Sequence, residues 1–139
     1  MKSIFILNAH EEILFYYKCK DNSIRKTLEK AVSDSAHFFV GADLSYEDLR
    51  GIKLTNMDFR YANLRGVNFD GADLSGVDLE YADLTNASLR DANLKGANCK
   101  FTIFTGATMR RANTKNANFK HANFIDADLQ GTTLENNGE

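Results

Sequence analysis

Three histidines, two cysteines and a high density of Asp and Asn are the groups in this 139-residue chain that acid–base, nucleophilic or metal chemistry would draw on. Catalysis needs such groups to converge in a pocket, and their spacing gives no sign of it. His10, His37 and His121 lie far apart. Cys19 and Cys99 make neither a disulfide framework nor a metal pair, and no phosphate loop or nucleophile motif is present. Asp43, Asn63, Asp73, Asp78, Asp83, Asn93, Asn98, Asn113, Asn118 and Asn123 each follow a small apolar residue and precede, usually, Leu or Phe. Polar side chains repeated in that way read as ladders on a solvated face rather than as a general acid and its base. An enzyme is the disfavoured reading, and neither a metal nor a cofactor is expected.

Recognition chemistry is better supplied. Residues 92–125 contain no Asp or Glu but hold Lys95, Lys100, Arg110, Arg111, Lys115 and Lys120. Residues 70–91 carry Asp70, Asp73, Asp78, Glu80, Asp83 and Asp91 against Arg90 alone. A net charge of −2 conceals this separation. Tyr61, Tyr81, Phe101 and His121 recur at intervals of twenty, and Arg60, Lys100 and Lys120 directly precede three of them. Cations beside rings suit a protein surface or a nucleic acid.

What positions these groups is a repeat. Residues 37–136 divide into twenty consecutive five-residue words without insertion or deletion. The word centres run Phe39, Leu44, Leu49, Leu54, Phe59 and onward to Phe119, Phe124, Leu129 and Leu134, with Ala usually two positions earlier. A helix repeats apolar residues about every 3.6 positions and a strand every 2, so a strict five fits neither. Each word reads as a short extended piece, in, out, in, followed by a corner. Eight of the nine glycines occupy the last position of a word, which also takes Asn56, Asn86, Asn116, Asn136, Asp91 and Asp126. These residue types tolerate turn conformations best. A corner every five residues with the apolar pair inside winds the chain into a solenoid around its own core. The aromatic interval of twenty suggests four words per coil.

These words (GADLS, YANLR, GVNFD, YADLT, DANLK, HANFI) resemble those of the pentapeptide repeat proteins from residue 37 to residue 136. The resemblance implies an all-β solenoid, a right-handed quadrilateral β-helix of about five coils with about 20 residues in each. It also implies a module for protein interaction. Some members of the family imitate duplex DNA and bind DNA gyrase, which would make Asp70, Asp73, Asp78, Glu80, Asp83 and Asp91 the binding face. A DNA mimic should be acidic along much of its length, because duplex DNA carries one negative charge per about 1.7 Å. The leading expectation is instead a non-enzymatic rod that binds a protein partner through charged and aromatic ladders. Its candidate residues are Arg60, Tyr61, Tyr81, Lys95, Lys100, Phe101, Arg110, Arg111, Lys115, Lys120 and His121. Nucleic-acid binding through the basic belt is a third reading.

Residues 1–36 do not belong to the repeat. Stretches 3–8 and 12–19 are β-branched and aromatic, which predicts a hairpin. Ser23 as N-cap with Ile24, Leu28, Ala31 and Val32 on one face predicts a helix to about Ser33. Together they would cover the first coil. After the repeat only a short tail, 137–139, remains, so Phe119, Phe124, Leu129 and Leu134 are expected to form an apolar end suited to a homodimer. No transmembrane run and no signal peptide is evident, which predicts a cytoplasmic protein of a bacterium or a phage-infected cell.

Overall fold

The computed structural model describes residues 2–8, 10–19 and 23–134; the predicted tail and the last two residues of the final word lie outside them. Strands β1 (Lys2–Leu7) and β2 (Ile13–Cys19) form an antiparallel hairpin, and helix α1 (Ile24–Ser33) follows. The hairpin turn is tied by Asn8, whose Oδ1 accepts the amides of His10 and Glu12. Ser23 caps α1 by accepting the Lys26 amide, satisfying one of the donors a helix start leaves free. Thr27, Leu28 and Ala31 of α1 are buried in the same core as Phe39, Ala42 and Leu44.

From Phe38 onward the chain climbs in steps of twenty residues. Parallel bridges join Phe38 to Asp58, Asp58 to Asp78 and Asp78 to Asn98, and the same step repeats on three further columns offset by five. Within each step the centre amide donates to the carbonyl of the next rung, as Leu64 does to Asp83 at 2.8 Å, while Asp83 donates back to Ala62 at 3.0 Å. Corner amides also reach across, as Tyr61 does to Glu80 at 3.1 Å. The result is a four-sided β-helix.

Each corner is a β-turn closed by the amide of one word's first residue on the carbonyl of the preceding centre, for instance Ala62 to Phe59 at 3.0 Å. The residue before that amide has positive φ at every word end from Gly41 to Gly131, as a type II turn requires at its third position. This left-handed geometry is why Gly, Asn and Asp dominate there. The outward Asp and Asn residues do more than build ladders. Their Oδ1 accepts the amide two residues on, as Asp73 does from Ser75 at 3.1 Å and Asn118 from Lys120 at 3.0 Å, so each also fastens its corner. Upright ladder bonds run as well, with Asn98 Nδ2 donating to Asp78 at 3.0 Å.

The interior is continuous, with Ala or Val and the centre residue of nearly every word buried. Where a Thr takes an inward position it stays satisfied: Thr102, in place of Ala, donates its Oγ1 to the Leu79 carbonyl at 2.7 Å, and Thr114, in place of a centre Leu, donates to the Thr133 carbonyl at 2.5 Å. Cys99 replaces a centre Leu and is buried and free, its thiol pKa pushed up by loss of solvent.

Candidate functional site

Call the four faces first to fourth, centred on Phe59, Leu64, Phe69 and Leu74. The corner between the first and second faces carries Tyr61, Tyr81, Phe101 and His121, all with positive φ. Their rings form one stack: Tyr61 on Tyr81 at 5.1 Å, Tyr81 on Phe101 at 4.9 Å, and Phe101 on His121 at 4.8 Å. The spacing matches the separation of adjacent strands, so the ladder itself sets the stack. Tyr61 remains 61%, Tyr81 44% and Phe101 39% exposed. A non-glycine residue in the left-handed region costs about 1–2 kcal/mol, and a ring pair returns about 0.5–1.5 kcal/mol. The two terms roughly cancel, so the rings add little stability over the Gly or Asn that the corner accepts more readily.

Charge on the flanking faces is arranged in pairs. Arg60 meets Asp58 at 2.7 Å and approaches Asp78 at 4.0 Å, and its side-chain hydrogen bonds hold the Asp58 carboxyl below its ordinary range against the opposing effect of burial. Arg65 meets Asp83 at 2.9 Å, Arg90 meets Asp70 at 3.7 Å and Lys100 meets Glu80 at 3.4 Å. Burial raises the Asp83 pKa, but bonds from Thr85 and Arg65 outweigh it and the net direction is downward. Arg110 pairs with Asp128 at 2.5 Å, and Arg111 with Asp91 at 2.7 Å.

The residues singled out from sequence therefore divide. The absence of acids from 92–125 predicts uncompensated cations there, yet Lys100, Arg110 and Arg111 all have carboxylate partners. Glu80, Asp128 and Asp91 supply them from outside that stretch, across neighbouring rungs. Lys95, Lys115 and Lys120 make no ion pair among the described residues. On the acidic stretch, Asp70, Asp78, Glu80, Asp83 and Asp91 each meet a cation of this chain. Asp73 accepts from Ser75 and Asn93.

His121 ends the aromatic stack, and His37 and His10 are exposed elsewhere. The described residues contain no group of three or more His, Cys, Asp or Glu placed to hold a metal, and no helix long and apolar enough to cross a membrane. At the last described rung Phe119 is 9% exposed, and Phe124, Leu129 and Leu134 are partly buried, with Phe124 stacked on Phe104 at 5.2 Å. Sequence reasoning overlooked Ile103 and Ile125, which are 37% and 62% exposed. Their signal was available: each is apolar at an outward position that every word after the first otherwise gives to a polar residue.

Comparison with known proteins agrees with this geometry. The pentapeptide repeats profile matches at 39–76, 72–111 and 102–136, in eight copies. No curated protein matches the sequence. Among solved structures, HetL, a pentapeptide repeat protein involved in heterocyst differentiation regulation in the cyanobacterium Nostoc sp. strain PCC 7120, is 25% identical with a TM-score of 0.53. The match covers 66% of this chain and 51% of HetL, so the chain spans about half of HetL's length. The protein alr5209 from Nostoc PCC 7120 is 29% identical with a TM-score of 0.47 over 70% of this chain and 75% of its own. AT2G44920 from the Arabidopsis thaliana thylakoid lumen is 36% identical with a TM-score of 0.41 over 67% and 68%. Members of this family fold as right-handed quadrilateral β-helices. With the profile spanning the repeat from Phe39 to residue 136 and four corners per twenty-residue step, this chain belongs to the pentapeptide repeat family.

Proposed function

We propose that the protein is a non-enzymatic interaction module, a rigid rod of about five coils that presents its aromatic corner and flanking charges to a protein partner. The observation that carries this reading is the stack of Tyr61, Tyr81, Phe101 and His121, held in left-handed geometry with its edges exposed and adding little to stability. Side chains fixed on such a lattice lose little freedom on binding, which favours recognition of another surface.

Two other readings draw less support. Nucleobases stack on ring faces, and here both faces of Tyr81 and Phe101 and one face each of Tyr61 and His121 are taken by neighbouring rings, leaving mainly edges outward. Imitation of duplex DNA needs an unneutralised row of negative charge, whereas the carboxylates between Asp70 and Asp91 are largely matched by arginines and a lysine of the same chain.

The test is a pull-down from nuclease-treated lysate of the native host with wild type and a Tyr61→Asn, Tyr81→Asn, Phe101→Asn variant. Asn is accepted at these corners, so both proteins should melt alike. A protein retained by wild type and lost from the variant supports the reading; equal recovery, or recovery of nucleic acid alone from an untreated lysate, removes it.

A further inference from the structure

The solenoid explains nearly every outward residue by what it does for the fold, and two residues beyond the first rung escape that explanation. Ile103 stands in a column that otherwise reads Asp43, Asn63, Asp83 and Asn123. Asp83 and Asn123 accept the amide two residues on, at 2.9 and 3.0 Å. An isoleucine cannot, so Ile103 gives up a corner-fastening hydrogen bond and places an apolar side chain in water, which burial elsewhere does not require. Ile125 follows Asn123, the ladder partner of Ile103, by two residues and is 62% exposed. Phe101 and His121, stacked at 4.8 Å, stand at the corner two residues before Ile103 and Asn123, so ring edges and both isoleucines belong to the second face and its border. On the other side of the ring column, on the first face, stand Lys100 and Lys120. Lys100 meets Glu80 at 3.4 Å, Lys120 has no carboxylate partner among the described residues, and 92–125 contains no acid, Asp126 being the first after it.

We infer that this patch docks an acidic amphipathic segment of another protein. An apolar ridge of that segment covers Ile103, Ile125 and the ring edges, and its carboxylates face Lys100 and Lys120. The inference rests on the interaction-module reading and adds the place and chemistry of the partner. Ile103→Asn is the decisive variant, because it restores the side chain that the column uses to fasten its corner while deleting the apolar contact.

The full-length chain carrying the photo-crosslinker p-benzoylphenylalanine in place of Ile125, or in place of Ser75 on the fourth face as control, is irradiated in lysate of the native host, and the attached peptides are sequenced. The expected result is an adduct at the Ile125 position to a segment with apolar residues at helical spacing and flanking Asp or Glu. That adduct should fall at least about tenfold on adding Ile103→Asn or Lys120→Glu, with the melting temperature of Ile103→Asn equal to or above wild type. A basic segment, a second copy of this chain, an adduct indifferent to Ile103→Asn, or a clear fall in melting temperature of that variant each overturns the inference. No adduct at Ile125, with a protein still lost from the Tyr61→Asn, Tyr81→Asn, Phe101→Asn variant in the pull-down, overturns it while leaving the interaction-module reading standing. No adduct at Ile125 together with equal recovery in that pull-down removes both.

Discussion

Residues 58–91 and 92–125 are built on the same backbone and differ in what they place outside it. In the first stretch each outward position is polar, each arginine finds a carboxylate, and the Asp and Asn side chains fasten corners. In the second, Lys95, Lys115 and Lys120 lack an acid among the described residues, and Ile103 and Ile125 are exposed. The interior is largely apolar in both, the later stretch also burying Thr102 and Thr114 with their hydroxyls bonded, so the core does not demand the outward difference. Apart from Tyr61 and Tyr81, the outward residues of the earlier stretch are accounted for by its own stability, whereas the later one adds exposed isoleucines and lysines without a carboxylate partner among the described residues, none of which the fold requires.

The largest effect that tests this contrast is in the core. Phe59 is 1% exposed and stacks on Phe39 at 5.6 Å, so Phe59→Ala should cost about 3–5 kcal/mol in denaturant unfolding. Phe124, only partly buried at the last described rung, should cost about half as much when changed to Ala. Equal losses would mean that the final rung is covered as well as the interior, and the contrast between the stretches would then stop at the surface.

Glycine corners give the next effect. At Gly76, φ is +66° and an added Cβ would run into Asn56 Oδ1 on the preceding rung, whereas at Gly96 on the same column nothing lies within 4 Å. Gly96→Ala should cost about 1 kcal/mol from backbone geometry alone. Gly76→Ala should cost about 2 kcal/mol because it also displaces the Asn56 side chain. Thermal unfolding that ranks them the other way would show that corner crowding does not govern this column.

Tyr81→Asn removes two ring contacts of about 0.5–1.5 kcal/mol each and puts a better-tolerated residue at φ of 60°. The net loss should be about 1 kcal/mol or less. A loss of several kcal/mol would make the aromatic corner a structural spine and would remove the main support for a binding role.

Acid provides the smallest and most distributed effect. Hydrogen bonds from Arg50 hold Asp48 down to about 2, and Arg60, Arg111 and Arg110 lower Asp58, Asp91 and Asp128. A carboxyl lowered in the folded state stabilises it above the ordinary value of 3.8 and loses that contribution as pH falls through the lowered value. Glu47, raised by burial, acts oppositely, stabilising below its ordinary pKa and losing this as pH rises through the raised value. The melting temperature should therefore change little between pH 7 and 5 and fall below about pH 4. Asp58→Asn should flatten that fall, and Lys120→Glu, which touches no such pair, should not.

Much of the architecture was readable because a five-residue period has few physical solutions. Gly, Asn and Asp at word ends announced the corners, and Tyr61, Tyr81, Phe101 and His121 announced four words to the coil. Ser23 with Ile24, Leu28 and Ala31 announced α1, because capping and helical spacing are local properties. The candidate surface was less readable. Lys100, Arg110 and Arg111 looked uncompensated because their partners lie on neighbouring rungs, eighteen to twenty residues away and outside the acid-free stretch 92–125. Asp and Asn between the apolar residues looked like ladder groups alone, and their bond to the amide two residues on emerged only with the backbone conformation of the corner.

The sequence by itself determined the step, the inward residues and the need for a left-handed corner, since each follows from the size and backbone tolerance of residues within one word. The tertiary structure alone decided which charges neutralise one another across rungs and how far each outward apolar side chain stands in water. Both depend on distances between rungs, and those exist only once the chain has turned four corners and returned above itself.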